Sequence, residues 1–327
     1  EDDIKAKFPD TKNTQVICRR GNPLDLDDLA VVDPHGARSI IILAPENDNP
    51  DIYVIKSVLA VTNNPARKPG KYHIVAEIRD AKNLEAAALV GGDEAIYVQG
   101  EDLIARVTAQ TCRQSGLSVV YTELLDFDGA EIYFRDEPGL VGRTYREAVG
   151  AYEDSALIGV MRADGEVLIN PPMKTRLEAG DQVIAISEDD DTLVLSGRAP
   201  PPADRAAIVL PGKVEPVPER TLVLGWNEKA EAIVRELDNY VAPGSETIVL
   251  CRGDGAREAL LALSKRLANQ RLRYADGDIT DRATLDAMQV PEFAHIIVLS
   301  YTRLPTQEAD AQTLIALLHL RNIAQAS

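Results

Sequence analysis

The chain has 327 residues, of which 45% are hydrophobic and 27% charged, and its net charge at pH 7 is −17. This composition is typical of a folded globular protein of two or three domains. The negative charge argues against partners that need a basic surface, such as nucleic acid or an anionic membrane, whereas it permits cation binding. No apolar run approaches the roughly 20 residues that a membrane-spanning helix needs.

Apolar runs of strand length alternate with helical patterns through the first third of the chain. The predicted strands are residues 15–19, 38–44, 72–79, 94–98 and 118–124, and the predicted helices are residues 26–32, 52–62, 83–90 and 102–115. Strands that alternate with helices in this way favour a parallel, doubly wound α/β sheet.

The pattern changes after Gly116. Residues 139–191 contain one predicted helix, at 144–150, and short strands at 156–162, 166–170 and 182–187 joined by tight turns. This stretch is typical of a small β-rich α+β domain. The proline-rich residues 196–219 that follow indicate an extended linker. The sequence therefore predicts a first α/β domain at residues 1–116, a crossover segment with the small domain at 117–195, a linker at 196–219 and a second α/β domain at 220–327.

The second half of the chain repeats part of the first. Residues 20–43 return without a gap as residues 276–299, so that Gly21 matches Gly277 and Asp25 matches Asp281. Such a long period indicates tandem copies of one domain. The first strand of the second copy, at 221–226, has its expected counterpart before residue 1, and the 72–79 strand would recur after residue 327. We therefore expect the sequence to be part of a longer protein.

This domain order resembles that of tandem RCK domains, the regulators of K⁺ conductance. The small domain is similar to an RCK C-terminal lobe in its sequences LVGRT at 140–144 and LEAGDQVI at 177–184. Residues 111–134 and the sequence Gly225-Trp226-Asn227 most resemble the CASTOR and POLLUX ion channels and their bacterial relatives. The resemblance implies two Rossmann-like N-lobes with a C-lobe between them.

The resemblance also implies a function. RCK domains of this kind form a gating ring that senses a ligand and opens or closes a pore, with no enzymatic activity. The expected partners are identical subunits, in a homotetramer of tandem RCK units, and a pore domain upstream in the same polypeptide. The expected location is the cytosolic face of a membrane, with this part of the protein itself soluble.

A cation site is predicted in the loop that follows the 38–44 strand. This loop supplies Glu46, Asp48 and Asp51, and Ca²⁺ binds several carboxylate and carbonyl oxygens on adaptable backbone. By resemblance to calcium-gated RCK channels, Glu77 at the end of the next strand is a further ligand, although Arg79 stands where those channels have a second acid. The alternative is a solvated loop in which Asp51 caps a helix.

A second acidic group follows the small domain. Glu188, Asp189 and Asp190 precede a further aspartate and could hold a metal ion, although runs of charge are more often solvated surface. A third group after residue 275 includes Asp281, which is better explained as a helix cap because it repeats Asp25.

A nucleotide site has weaker support. Phosphate binding needs a glycine-rich turn after the first strand, and Gly225 is the one glycine in Gly225-Trp226-Asn227-Glu228. Asp254 after the next strand could hold a ribose or belong to a turn. NAD and ATP are therefore disfavoured. The alternative functions are a separate, nucleotide-binding regulatory subunit of a potassium transporter and a nucleotide-dependent oxidoreductase.

Overall fold

The fold is that of a computed structural model, which describes residues 6–7, 9–10, 14–126, 129–198, 205–209, 212 and 215–326. The chain divides into two compact units. The first comprises Glu1–Arg106 with Asn227–Glu236, and the second comprises Val107–Trp226 with Leu237–Ser327. Among the described residues, no helix is both long and apolar enough to cross a membrane.

The first unit contains a parallel sheet of three strands in the order β1-β2-β3. Its elements in chain order are α1 (Leu26–Ala30), β1 (Ile40–Ile42), α2 (Pro50–Thr62), β2 (Ile74–Glu77), α3 (Leu84–Gly91) and β3 (Ala95–Val98). Branched apolar residues of the central strand and of α2 form the core, since Val54, Val58 and Ile74 are fully buried. Burial of such side chains stabilises the unit by about 1.5–3 kcal/mol each.

A helical segment and a small antiparallel sheet come next. The helices are α4 (Gly100–Arg113) and α5 (Leu117–Leu125), and the sheet contains β4 (Glu131–Asp136), β5 (Ala156–Met161), β6 (Val167–Ile169) and β7 (Gln182–Ser187) in the order β4-β7-β5-β6. The short helix α6 (Tyr145–Val149) begins with a capping box between Thr144 and Glu147. Tyr145, Leu140 and Leu193 fill the core of this lobe.

The second parallel sheet has four strands in the order β10-β9-β8-β11. The strands are β8 (Arg220–Leu224), β9 (Ser245–Cys251), β10 (Gln270–Asp276) and β11 (His295–Val298), and the helices are α7 (Ala230–Asp238), α8 (Asp254–Ser264), α9 (Arg282–Ala287) and α10 (Thr306–Ala326). The predicted α/β class, with Rossmann-like parallel sheets and a small β-rich lobe between them in the chain, is confirmed.

The tandem duplication is visible in the backbone. Asp25 accepts hydrogen bonds from the second and third following backbone N–H groups at the start of α1, and Asp281 does the same at the start of α9. Asp33 and Gln289, which are also 256 residues apart, both adopt the left-handed conformation with φ of 43° and 55°. Each of them precedes a short 3₁₀ helix. Few non-glycine residues adopt this conformation, so its recurrence in register confirms the repeat.

The two parallel sheets correspond to different parts of the same six-stranded topology. Because β1 and β11 occupy the same place in the repeat, overlaying them joins the two strand orders into β10-β9-β8-β11/β1-β2-β3. This is the six-strand order of a doubly wound dinucleotide-binding fold. Its switch point, where ligands bind in many such folds, lies between β8 and the shared strand.

Two predicted strands are wrong. Residues 15–19 are irregular, because no strand of the described chain lies beside them to complete a ladder. Residues 118–124 belong to helix α5, where the apolar residues of Leu117–Leu125 recur at spacings of three and four. Adjacent β-branched residues such as Val119 and Val120 are typical of strands. They lower helix propensity only slightly, so the helical spacing prevails here.

We expect Asp281→Ala to lower the free energy of unfolding by about 1 kcal/mol, because it removes the acceptor for two backbone N–H groups at the start of α9. Chemical denaturation followed by circular dichroism measures this change. Asp286→Ala in the same helix removes only an exposed ion pair with Arg282 and is expected to cost less than about 0.5 kcal/mol. Equal effects of the two substitutions would contradict the capping role.

Candidate cation site at the edge of the first sheet

The loop after β1 and the end of β2 meet at the carboxyl edge of the first sheet. Parallel strands start their outgoing loops at the same edge, so the residues that follow β1 lie beside the last residue of β2. The backbone N–H of Ala44 donates to Oε2 of Glu77 at 3.0 Å. The structure therefore brings Glu77 to the beginning of the loop that carries the predicted acidic residues.

Asp51 holds this edge together from the first turn of α2. Its side chain is buried and accepts hydrogen bonds from the backbone N–H groups of Arg79 and Asp80, each at 2.9 Å, and from Nδ2 of Asn83 at 2.8 Å. Burial alone would raise the pKa of Asp51, but these three donors together lower it below its usual value. The alternative of Asp51 as a helix cap is wrong, because Asn49 occupies the cap position.

A guanidinium group occupies the space beside Glu77. Nε of Arg79 lies 3.7 Å from Oε1 of Glu77, and Nη2 of Arg79 donates to the carbonyl oxygen of Ala44 at 3.3 Å. A carboxylate and a backbone carbonyl are two of the oxygen types that Ca²⁺ takes as ligands. Arg79 is thus a positive charge held by this chain's own backbone at the oxygens that a bound cation would use.

Glu46 and Asp48 are exposed in the loop between β1 and α2. Within the described part of the chain, the four predicted carboxylates do not form a cluster with oxygens within 4.8 Å of one another. Glu77 and Asp51 lie at the sheet edge and already have protein partners, whereas Glu46 and Asp48 are in solvent. Of the four predicted carboxylates, only that of Glu77 lies beside the guanidinium of Arg79.

A second group of carboxylates lies in the turn after β7. Single side-chain oxygens of Asp189, Asp190 and Asp191 lie within 4.8 Å of one another, and all three residues are exposed. Thr192 closes the turn by accepting the backbone N–H of Asp189 at 3.1 Å. Glu188, which was predicted with them, is outside this cluster. We call Asp189, Asp190 and Asp191 the acidic turn.

Gly225 follows β8 at the switch point of the second sheet. Its φ is 89°, and a Cβ atom there would lie 2.2 Å from the carbonyl oxygen of Leu299, beyond the end of β11. Its N–H donates to the carbonyl of Leu250 at 2.9 Å. The absence of a side chain at Gly225 therefore allows the backbone after β8 to pack closely against the backbone after β11. Asp254 begins α8, and its side chain lies outside what the structure describes.

Sequence reasoning missed two partners in these regions. Asn83 precedes helix α3 as predicted, and its side-chain amide also donates to Asp51. Arg252 pairs with Asp278 at 2.8 Å, at the carboxyl ends of β9 and β10. Burial favours a higher pKa for Asp278, but hydrogen bonds from Thr280 and the charge of Arg252 lower it. Asn22, the counterpart of Asp278 in the first copy, also accepts the backbone N–H two residues later.

Comparison with known proteins relates the chain to ion channels. A profile of the family described as Castor and Pollux, part of voltage-gated ion channel, matches residues 101–201. The chain is 33% identical to probable ion channel CASTOR of Oryza sativa subsp. japonica, across 99% of this chain and 37% of that protein. The chain is homologous to the Castor and Pollux ion channels. The resemblance seen in residues 111–134 is confirmed.

The match to the Castor and Pollux family extends to other members. Identity to ion channel CASTOR of Lotus japonicus is also 33%, over 98% of this chain and 38% of the relative. The chain thus spans less than half the length of the curated relatives it matches. The human SLO3 gating ring has the same fold, with a TM-score of 0.64 over 91% of this chain and 62% of that chain, at 16% identity. The predicted RCK-type fold is therefore confirmed.

Gly225→Ala is expected to destabilise the chain by about 2–4 kcal/mol, because it combines a left-handed backbone with overpacking against Leu299. Thermal or chemical denaturation measures the change. Gly255→Ala is the control, since Gly255 lies in helix α8 with open space at its Cβ position. Alanine there is expected to raise stability by about 0.4–1 kcal/mol, because it restricts the unfolded chain. A tolerated alanine at Gly225 would overturn this account of the turn.

Asp51→Asn is expected to lower the free energy of unfolding at pH 7 by about 2–3 kcal/mol, because three donors lose a charged acceptor. The pKa of Asp51 is depressed in the folded state, so the stability it contributes is complete above its unfolded pKa and is lost on acidification. Urea denaturation should show a difference between wild type and variant that is constant from pH 8 to 6 and shrinks below about pH 4.

Asp48→Asn is the matched control for this pH series, because Asp48 is exposed in the same loop. Its stability should follow that of wild type at every pH. A difference between wild type and Asp51→Asn that stayed constant down to pH 3 would contradict a depressed pKa.

Proposed function

We propose that this chain is a ligand-sensing module of the gating ring of a cation channel of the Castor and Pollux type, and that ligand binding opens or closes the pore. The observation that carries this proposal is 33% identity to such channels along 99% of the chain. The gating-ring fold of the SLO3 comparison supports it. The homologues are channels, which supports a non-enzymatic role.

The module acts within a larger assembly. The pore belongs to the same polypeptide, upstream, and identical subunits form the ring as a homotetramer on the cytosolic face of the membrane. In this assignment residues 1–116 and 220–327 are the two N-lobes, residues 117–195 hold the crossover helices and the C-lobe, and residues 196–219 link them. The relatives' greater length supports a further segment that supplies the pore.

The ligand we assign to the first N-lobe is Ca²⁺. Glu77 and the carbonyl of Ala44 already converge on one positive group, the guanidinium of Arg79. Glu46 and Asp48 lie in the adjacent exposed loop and supply carboxylates that can close over an ion. Asp51 is a positioning residue, because its carboxylate is fully occupied by the chain that leaves β2. NAD and ATP stay disfavoured, since Gly225 packs against Leu299.

Binding of Ca²⁺ requires Arg79 to move away. The ion and the guanidinium compete for the same oxygens, so the free and bound states differ in the position of this side chain and of the loop 45–49. A ligand shifts a conformational equilibrium only through its different affinity for the two states. The closing of the loop between β1 and α2 supplies that difference here, and a pore linked to the ring would respond to it.

Calorimetric titration with Ca²⁺ after chelator treatment tests this assignment. The wild-type chain is expected to bind with a dissociation constant of about 10 µM to 1 mM, since few protein carboxylates are available. Asp48→Ala and Glu77→Ala should each weaken binding at least tenfold. Substitution of Asp189 and Asp190 by Asn, in the predicted second site, is the matched control and should leave the affinity unchanged. No heat up to millimolar Ca²⁺ would remove Ca²⁺ as the ligand.

Arg79→Gln provides the opposite change at the same site. Removing a positive charge that lies near the ion is expected to tighten Ca²⁺ binding by about tenfold or more, by simple electrostatics. Arg79→Lys retains the charge and should bind as weakly as wild type. If Arg79→Gln and wild type had equal affinity, the competition would be refuted even where Glu77→Ala abolished binding.

A further inference from the structure

The first strand of the first sheet has an open edge. β1 is the outermost strand in the order β1-β2-β3, and among the described residues no strand pairs with its other side. Ile41 in this strand and Leu43 directly after it are 70% and 71% exposed. Natural proteins seldom leave apolar residues on an unpaired strand, because such an edge recruits other chains. The edge of β1 therefore points to a partner strand.

The second copy of the repeat has a strand at the same edge. Ile297 and Leu299, which match Ile41 and Leu43 at the offset of 297 − 41 = 256, are only 5% and 8% exposed. β11, the counterpart of β1, pairs in parallel with β8, and the N–H of Leu299 donates to the carbonyl oxygen of Leu224 at 2.8 Å. Within the described part of the chain, the N–H of Leu43 has no such backbone acceptor.

A groove beside β1 matches the place that β8 fills in the second copy. The groove has a volume of about 380 Å³, and its lining is mostly apolar. Two of its lining residues, Leu29 and Ile40, match Leu285 and Ile296. Leu285 belongs to the hydrophobic core that contains Leu222 of β8, and Ile296 packs against that core. The side chains of a strand like β8 therefore have an equivalent place in the groove.

We infer that the open edge of β1 binds a parallel strand from an earlier part of the same polypeptide, the counterpart of β8. The offset of the repeat places this strand near positions 220 − 256 = −36 to 224 − 256 = −32. Its backbone pairs with β1, as in the addition of a strand to a sheet edge. Its alternate side chains enter the groove, as Leu222 and Leu224 enter the core of the second copy.

The carboxyl end of this strand lies beside the candidate cation site. Gly225 follows β8 and packs against the carbonyl oxygen of Leu299, so its counterpart near position 225 − 256 = −31 packs against that of Leu43. Leu43 precedes Ala44, whose carbonyl oxygen binds Arg79. Docking of the strand needs no ligand, and only its link to ligand sensing rests on the proposed function. Under that function, the strand joins the pore side of the polypeptide to the loop that closes over the ion.

The amino-acid sequence upstream of residue 1 provides the first test. We expect a glycine near position −31, preceded by a strand with apolar residues at the positions that match Leu222 and Leu224. Charged residues at both of these positions, or a proline within the strand, would contradict the inference. Unpaired charges are costly to bury in an apolar groove, and proline cannot donate to the ladder.

Thiol labelling tests the contact itself, in the polypeptide extended upstream to include the whole strand. Leu43→Cys should react with N-ethylmaleimide at least about tenfold more slowly in the extended polypeptide than in residues 1–327. Leu299→Cys should react slowly in both forms. Leu89→Cys, at a position on α3 that is 82% exposed, should react fast in both. Peptide mass spectrometry assigns each rate to its site, so the natural cysteines stay in place.

A charge in the contact provides a second variant, in case Leu43→Cys itself disturbs the strand. Ile41→Asp should leave the melting temperature of residues 1–327 unchanged, because Ile41 is exposed there. In the extended polypeptide the same substitution should lower the melting temperature and speed amide hydrogen exchange at Leu43 at least about tenfold. Ile297→Asp is the matched variant and should lower the melting temperature of both forms.

Three results would overturn the inference. Equally fast amide exchange at Leu43 in both forms of the wild type would show that no strand docks at β1. Equal effects of Ile41→Asp on both forms would show that no upstream strand covers Ile41. Slow labelling of Leu43→Cys that required a high protein concentration would assign the edge to a strand of a second copy. Failure of Ca²⁺ to bind in the calorimetric titration would leave all of these outcomes unchanged.

Discussion

In the two parallel sheets, each strand must be followed by a crossover before the next strand can pair beside it. This requirement places every outgoing loop at the same edge of its sheet. The candidate cation site exists because β1 and β2 obey this rule and bring Glu77 to the backbone of Ala44. Asp51 then ties the start of α2 to the chain leaving β2 through three hydrogen bonds. The loop that carries Glu46 and Asp48 is anchored at both ends by these contacts.

The two copies of the repeat share a backbone and differ in chemistry. Asp25 and Asp281 cap equivalent helices, and Asp33 and Gln289 share a left-handed conformation, so these positions serve the fold. At the matched positions Asn22 and Asp278, each side chain accepts the backbone N–H two residues later, but only Asp278 is a carboxylate, and it also pairs with Arg252.

Electrostatics links the proposed roles of the chain. A net charge of −17 favours cations, and at the edge of the first sheet a basic side chain lies against that background. Nη2 of Arg79 donates there to the carbonyl oxygen of Ala44, one of the oxygens for which a cation would compete under the proposed function.

The α/β class, the small β-rich lobe, the tandem repeat and the resemblance to ion channels could all be predicted from the amino-acid sequence, because they depend on local periodicity and on residues matched in register. Sequence reasoning failed at 15–19, where a strand needs a neighbour, and at 118–124, where Val119 and Val120 concealed a helical spacing. The sequence pointed to Asp51 and Glu77 as candidate ligands. Their contacts came from the fold: Asp51 accepts hydrogen bonds from Asn83 and from the backbone of Arg79 and Asp80, and Glu77 faces the guanidinium of Arg79. Hydrogen-bond partners about 30 residues away depend on how the crossovers close, and no local pattern encodes that closure.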